Sequence, residues 1–205
     1  MQKSGKLELT WVGKYEQKEI EPRILVENPE LSYGDQDTGN MLIHGDNLIA
    51  LKALEQDYAG KIKCIYIDPP YNTGSAFEYY DDGLEHSEWL NMMRPRLEIL
   101  HNLLADDGFF CCHIDDSESH YLKVVLDEIF DRKNYLSSFY IRVRYPDKTL
   151  KSDMDFHKEI EQVFVYRKSE CAVPNFNVDE VGFEKFTYEI KELSDGQEIV
   201  LGGKR

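Results

Sequence analysis

Residues 61–74 read Lys61-Ile62-Lys63-Cys64-Ile65-Tyr66-Ile67-Asp68-Pro69-Pro70-Tyr71-Asn72-Thr73-Gly74. Ile62, Cys64, Ile65, Tyr66 and Ile67 make Lys61 to Asp68 apolar enough for a strand buried on both faces. A Pro-Pro step directly behind it holds the backbone extended and removes two amide donors, which leaves carbonyls free to accept. Asp68, a prolyl carbonyl and the Tyr71 ring then form a rigid ledge with a carboxylate, an acceptor and an aromatic face. This set suits a flat ring bearing an exocyclic amine, because it offers two acceptors for the NH2 group and a surface to stack on. At a usage of roughly 3 to 6% per residue type, chance places Asp-Pro-Pro-Tyr in such a chain about once in a thousand.

Working outward, Met41-Leu42-Ile43 reads as a short strand, and Asp46 to Asp57 carries Leu48, Leu51 and Leu54 at helical spacing. Residues 1–39, broken by Pro22, Pro29, Gly34 and Gly39, read as an extended arm. Residues 69–85 form a long loop, and loops of that length are usually functional. Ser87 is the expected N-cap of a helix with Leu90, Met93, Leu97, Leu100 and Leu104 on one face, kinked or restarted near Arg94 by Pro95. After Asp107-Gly108, Phe109 to Ile114 reads as a strand. Asp115 and Glu118 resemble a capping box opening a helix with Leu122, Val125, Leu126 and Ile129 inward. Tyr135 to Val143 and Ile160 to Arg167 are further strands, and Phe183, Phe186, Tyr188 and Ile190 suggest a short one. The alternation predicts an α/β fold with a parallel sheet and right-handed crossovers in residues 40–170, followed by an extension at 171–205.

The chain has 205 residues, 41% hydrophobic and 31% charged, which describes an ordinary globular domain. No apolar run is long enough for a membrane helix and no secretory signal opens the chain, so the cytoplasm is the expected compartment. Cys64, Cys111, Cys112 and Cys171 include no C-x-x-C pair and read as buried, reduced thiols, with neither a disulfide framework nor a zinc site expected. Along a strand, Cys111, Cys112 and His113 face alternate sides and do not converge on one metal. The net charge of −15 disfavours nucleic acid taken alone. Arg142, Arg144, Lys148 and Lys151, with Tyr140 and Tyr145 among them, form a local basic cluster that is either a phosphate contact or a solvated edge.

Three expected strands end in acids, at Asp46, Asp68 and Asp115-Asp116. Ligands of open α/β sheets bind beyond such ends, whereas Asp is also a favoured N-cap, the expected role of Asp115 and Asp116. Asp68 differs, because prolines follow it.

The segment Asp68-Pro69-Pro70-Tyr71-Asn72-Thr73-Gly74 resembles the catalytic motif of S-adenosylmethionine-dependent DNA amino-methyltransferases. Leu42 to Leu48, Lys63 to Asp68, Trp89 to Leu97, Ile114 to Glu118 and Val163 to Tyr166 are similar to the beta group, in particular to modification subunits of type III restriction-modification systems. The resemblance implies a Rossmann-like methyltransferase sheet and transfer of a methyl group to adenine N6, since Asp opens the motif where cytosine-N4 enzymes more often carry Ser. It implies Asp68, Pro69, Pro70 and Tyr71 as catalytic residues and Asp46 with Asp68 near the cofactor. Asn72, Arg142, Arg144, Lys148 and Lys151 are then expected to face double-stranded DNA, with Phe77, Tyr79 and Tyr80 on a loop closing over the base. A restriction subunit with helicase and nuclease functions is the implied partner.

The beta group also carries a Phe-x-Gly-x-Gly turn after a recognition region, and none of Gly182, Gly196, Gly202 and Gly203 reads as such a turn. The chain is therefore expected to be the front half of a methyltransferase, to bind cofactor weakly or not at all, to methylate nothing by itself, and to self-associate through an uncovered sheet. Two other readings compete: a magnesium-dependent nuclease or phosphoryl transferase using Asp46, Asp68 and Asp115, and an inactive DNA- or partner-binding module.

Overall fold

Strand β1 (Ile62–Ile67) pairs in parallel with β2 (Leu104–Ile114), and the two are joined through helix α2 (His86–Leu103). This computed structural model describes residues 7–16, 19–21, 23–35, 38–72, 85–143 and 159–174, and the backbone of 188–193 and 196–201. Helix α1 (Asn47–Tyr58) precedes β1, α3 (Asp116–Phe130) follows β2, and β3 (Tyr135–Arg142) and β4 (Ile160–Arg167) complete the sheet. The chain divides into two compact units, Met1–Val173 and Pro174–Arg205. In the second unit, β5 (Tyr188–Leu193) and β6 (Gly196–Leu201) form an antiparallel pair, so Gly196 opens a strand.

The sheet order is β1-β2-β4-β3, with β4 antiparallel to both neighbours. The α/β class holds, but the sheet is mixed where the strand-helix alternation predicts a parallel one. β1, β2 and β3 share one direction, each reached through a helix, as parallel strands require. No helical pattern separates β3 from β4 in the sequence, and β4 returns in the opposite direction between β2 and β3.

One face of the sheet holds the core. Ile65, Phe110, Cys112, Ile114, Phe164 and Tyr166 pack against Trp89, Leu90, Met93, Leu97 and Leu100 of α2 and Leu122, Val125, Leu126 and Phe130 of α3. Phe130 is the hinge of the ring packing, stacked on Phe110 at 4.6 Å and tilted against Tyr166 at 5.4 Å. Because α2 and α3 cover the same face, β1 is not buried on both: Ile65 is inside, whereas Tyr66 is 56% exposed. The same geometry corrects the cysteines, since Cys112 is buried but Cys64 and Cys171 are exposed.

Helix α2 runs through Pro95 without restarting. A helix-interior proline costs roughly 3 kcal/mol, while burying each large apolar side chain contributes roughly 1.5–3 kcal/mol. Trp89, Leu90, Met93, Leu97, Ile99, Leu100 and Leu103 are all buried, so packing wins. The N-cap is Glu85, not Ser87; its carboxylate accepts from Ser87 N at 3.0 Å. Asp115 caps α3 as expected, accepting from Ser117 N at 2.8 Å.

The N-terminal segment is less of an arm than its turns suggest. Leu9 N and Lys14 Nζ each donate to Glu128 of α3 at 2.9 Å, and Trp11 Nε1 donates to Asn91 of α2 at 2.7 Å. Burial by itself would lower the Lys14 ammonium, but hydrogen bonds to Glu128 and Glu8 outweigh it and hold Lys14 above its ordinary pKa. Residues 23–35, by contrast, are exposed throughout. The expected strand at 41–43 is absent: Met41 and Leu42 are 57% and 100% exposed and lie in irregular backbone.

Gly108 lies in β2 against the backbone of Ile62, the first residue of β1. A Cβ there would lie 2.8 Å from Ile62 O and 2.9 Å from Ala105 O, both backbone atoms that cannot swing aside. Gly108→Ala is expected to cost about 1–3 kcal/mol of stability, read as a lower urea midpoint at unchanged slope.

Candidate active site

The segment Asp68 to Asn72 follows β1 directly, outside regular secondary structure. Asp68 is exposed at the strand end, and Pro69, Pro70, Tyr71 and Asn72 are half-buried. Its two prolyl carbonyls differ. The wholly buried Trp89 of α2 donates its Nε1 to Pro70 O at 2.8 Å, as a buried indole N–H requires. Among the described residues none donates to the Pro69 carbonyl. Pro70 O is thus the anchored carbonyl, and Asp68 is the exposed carboxylate of the segment.

Tyr71 is held by its hydroxyl. It donates to Glu161 Oε2 of β4 at 3.2 Å, and its ring packs at 5.9 Å from the ring of His113 on β2. Burial, followed by hydrogen bonding to Asp68 and the charges of Asp68 and Glu161, raises the phenol far above its ordinary pKa, so it remains a donor. His113 Nδ1 lies 3.1 Å from Tyr66 Oη, and its Nε2 lies 2.9 Å from Glu161 Oε2 as an ion-pair contact without hydrogen-bond alignment. Burial, and after it the charge of Asp68, also raises Tyr66. One row across β1, β2 and β4 therefore fixes the aromatic ring of the motif from the sheet face opposite the core.

Asn72 ends the ledge in the left-handed region, φ 59°, which Asn tolerates better than most residues. Its Nδ2 donates to Glu118 Oε1 at 2.5 Å, and His86 Nδ1 lies 2.7 Å from the same oxygen. Asn72, expected to face DNA, is thus turned inward. Glu118 is wholly buried and does not reach back as the third residue of a capping box. Its spacing to Leu122, Val125 and Leu126 places it on the buried stripe of α3, a signal present in the sequence but masked by the capping pattern.

Asp46, expected near the cofactor, caps α1: its Oδ1 accepts from Leu48 N at 2.9 Å and Ile49 N at 3.1 Å, and its Oδ2 lies 4.0 Å from Arg96. With Asp46 and Asp115 both turned onto helix amides, two of the three acids of the magnesium reading serve as caps. Arg142 is exposed and 3.6 Å from Glu159. Arg144, Lys148 and Lys151, like Thr73, Gly74, Phe77, Tyr79 and Tyr80, lie outside the described residues. Trp89, His113, Glu161, Glu118 and His86 are the parts of the site that motif reading misses. They come from three other elements and from the start of α2, and only the tertiary fold assembles them.

Residues 62–198 match the DNA methylase family, and the chain belongs to it. Among curated relatives, the "Probable type III restriction-modification enzyme HindVI Mod subunit" of Haemophilus influenzae is 40% identical over 80% of this chain and 24% of its own. The EcoPI Mod subunit of Escherichia phage P1 is 31% identical over 86% of this chain and 33% of its own. The EcoP15I Mod subunit of Escherichia coli is 32% identical over 78% of this chain and 30% of its own. The chain therefore spans about a quarter to a third of the length of these relatives. The PvuII DNA methyltransferase (cytosine-N4-specific) superposes loosely, with TM-score 0.44, 17% identity, and coverage of 60% of this chain and 48% of that one.

Replacing Trp89 with Phe keeps most of the buried ring and removes the donor to Pro70. The expected loss is about 1–2 kcal/mol, measured by urea unfolding; an unchanged midpoint would show that the indole bond does not hold the ledge.

Proposed function

We propose that the chain is the catalytic-motif part of an S-adenosylmethionine-dependent DNA adenine-N6 methyltransferase, the modification subunit of a type III restriction-modification system acting in the cytoplasm. The observation that carries this reading is the exposed Asp68 carboxylate next to a proline pair anchored at Pro70 O by Trp89, with the Tyr71 ring beside it tied to Glu161; Asp68 and the Pro69 carbonyl are the acceptors this reading uses. The adenine amino lone pair is delocalised into the ring and is a poor nucleophile. Two hydrogen bonds accepted from its N–H groups favour a tetrahedral nitrogen whose lone pair points out of the ring plane. The bound cofactor supplies an electrophilic methyl group on a sulfonium.

The target base must leave the duplex, which costs a few kcal/mol, and stacking on an aromatic ring returns about 1–3 kcal/mol. Tyr71 suits this role because its hydroxyl is tied to Glu161, which limits the entropy lost when the base arrives. Asp46 and Asp68 fit a cofactor carrying ribose hydroxyls and cationic groups, with Asp46 Oδ2 the oxygen not used in capping α1. Arg142, Arg144, Lys148 and Lys151 would supply phosphate contacts. The restriction subunit and a second copy of the chain are the partners this reading implies. Exposed Tyr66, Phe139 and Ile141, on the sheet face away from the core, support association.

Asp68→Ala in the full-length protein is expected to abolish methyl incorporation and leave DNA binding within about threefold of wild type, since one lost acceptor misplaces the amine without touching phosphate contacts. Labelled incorporation beside a gel-shift titration reads both; wild-type incorporation would sink the assignment. Nucleoside analysis of DNA modified by the wild-type protein should contain N6-methyladenine, and N4-methylcytosine in its place would overturn the adenine reading.

A further inference from the structure

A buried carboxylate is expensive to desolvate and persists only where charge or hydrogen bonding compensates it. Glu118 is wholly buried, and no described lysine or arginine pairs with it. Its Oε1 takes Asn72 Nδ2 at 2.5 Å and His86 Nδ1 at 2.7 Å, while its Oε2 has no hydrogen-bond partner among the described residues. Asn72 closes the ledge in a left-handed conformation that a side-chain anchor helps to hold. His86 is the first residue of α2, three positions before the Trp89 that anchors Pro70. One oxygen thus ties the end of the catalytic motif to the start of the helix that supports it.

We propose that Glu118 is a positioning residue for methyl transfer: through Asn72 and His86 it sets the turn carrying Asp68 and Pro69, without touching substrate. This rests on the methyltransferase reading for its consequence on rate, but not for the clamp itself. Both donors share Oε1, so what the site needs is an acceptor oxygen with two lone pairs. A glutamine amide oxygen meets that need and places its NH2 where Oε2 has no partner.

The test is steady-state methylation by full-length variants. Glu118→Ala should lower kcat about 100-fold, with KM for DNA and for S-adenosylmethionine each within about threefold, because a small misplacement of reacting groups is felt in the chemical step. Glu118→Gln should retain most of kcat. Asn72→Asp sets two carboxylates against each other and should lose a similar factor, and adding Glu118→Gln should recover at least about tenfold but not the whole loss, because a glutamine turned with its NH2 toward Asp at 72 exchanges donor and acceptor across that contact while giving up the one to His86. Glu118→Ala with wild-type kcat, or a double variant no better than Asn72→Asp alone, would overturn the proposal; the exchange pair decides it where Glu118→Ala fails to fold. A wild-type protein that methylates no adenine would defeat the functional reading instead. The clamp is then read from the Asn72 side-chain amide signal in nitrogen-15 spectra, expected to be protected from exchange in wild type and Glu118→Gln and unprotected in Glu118→Ala. Equal protection in Glu118→Ala would overturn it.

Discussion

The bond from the Trp89 indole to the Pro70 carbonyl is the interaction on which the site depends. Its ring lies in the core between α2 and the sheet, where burial fixes it, and its single polar atom faces the motif. The core thereby sets the height and direction of the ledge. A proline pair limits the backbone to extended shapes but does not say where the segment points; an immobile donor from the neighbouring helix does. The bond also distinguishes the two prolyl carbonyls, since Pro70 O accepts from Trp89.

The other residues of the motif are held from different sides. Tyr71 belongs to the sheet face away from the core, tied through Glu161 and packed on His113. Asn72 belongs to the interior, tied to Glu118. Neighbouring residues thus answer to opposite layers of the protein, which is how a short irregular segment is made rigid without regular secondary structure. Rigidity matters because hydrogen bonds that orient an amine are effective only when the acceptors are already in place.

Charge follows the same division. Asp68 and Glu161 both lie beside the Tyr71 hydroxyl, and a raised phenol pKa keeps the proton that lets it bridge toward acids. Lys14 and Arg94 instead gather around Glu128, an ion-pair cluster that fastens the N-terminal segment to α2 and α3 and has no part in the ledge. An acidic chain can in this way keep its few buried cations for structure while the site itself stays rich in acceptors.

Periodicity and punctuation were enough to locate β1, α2, α3, β3 and β4, because strand and helix alternation and the Asp-Pro-Pro-Tyr step are local properties of the chain. They also identified Asp115 as a cap. The insertion of an antiparallel β4, the uncovered face of β1 and the loss of a strand at Met41-Leu42-Ile43 were not legible, since which surfaces meet is settled by packing among distant segments. Glu118 shows the limit most clearly. Its place three residues after an N-cap resembles local capping, yet its place on the stripe of Leu122 and Val125 turns it inward, and sequence alone does not rank the two patterns. Sequence determined which groups of the motif can accept hydrogen bonds; only the tertiary structure decided which acceptors are already spent, because Trp89, Glu118 and Glu161 reach the motif from positions 19 to 90 residues away, the Pro70–Trp89 contact at a separation of 19 and the Tyr71–Glu161 contact at 90.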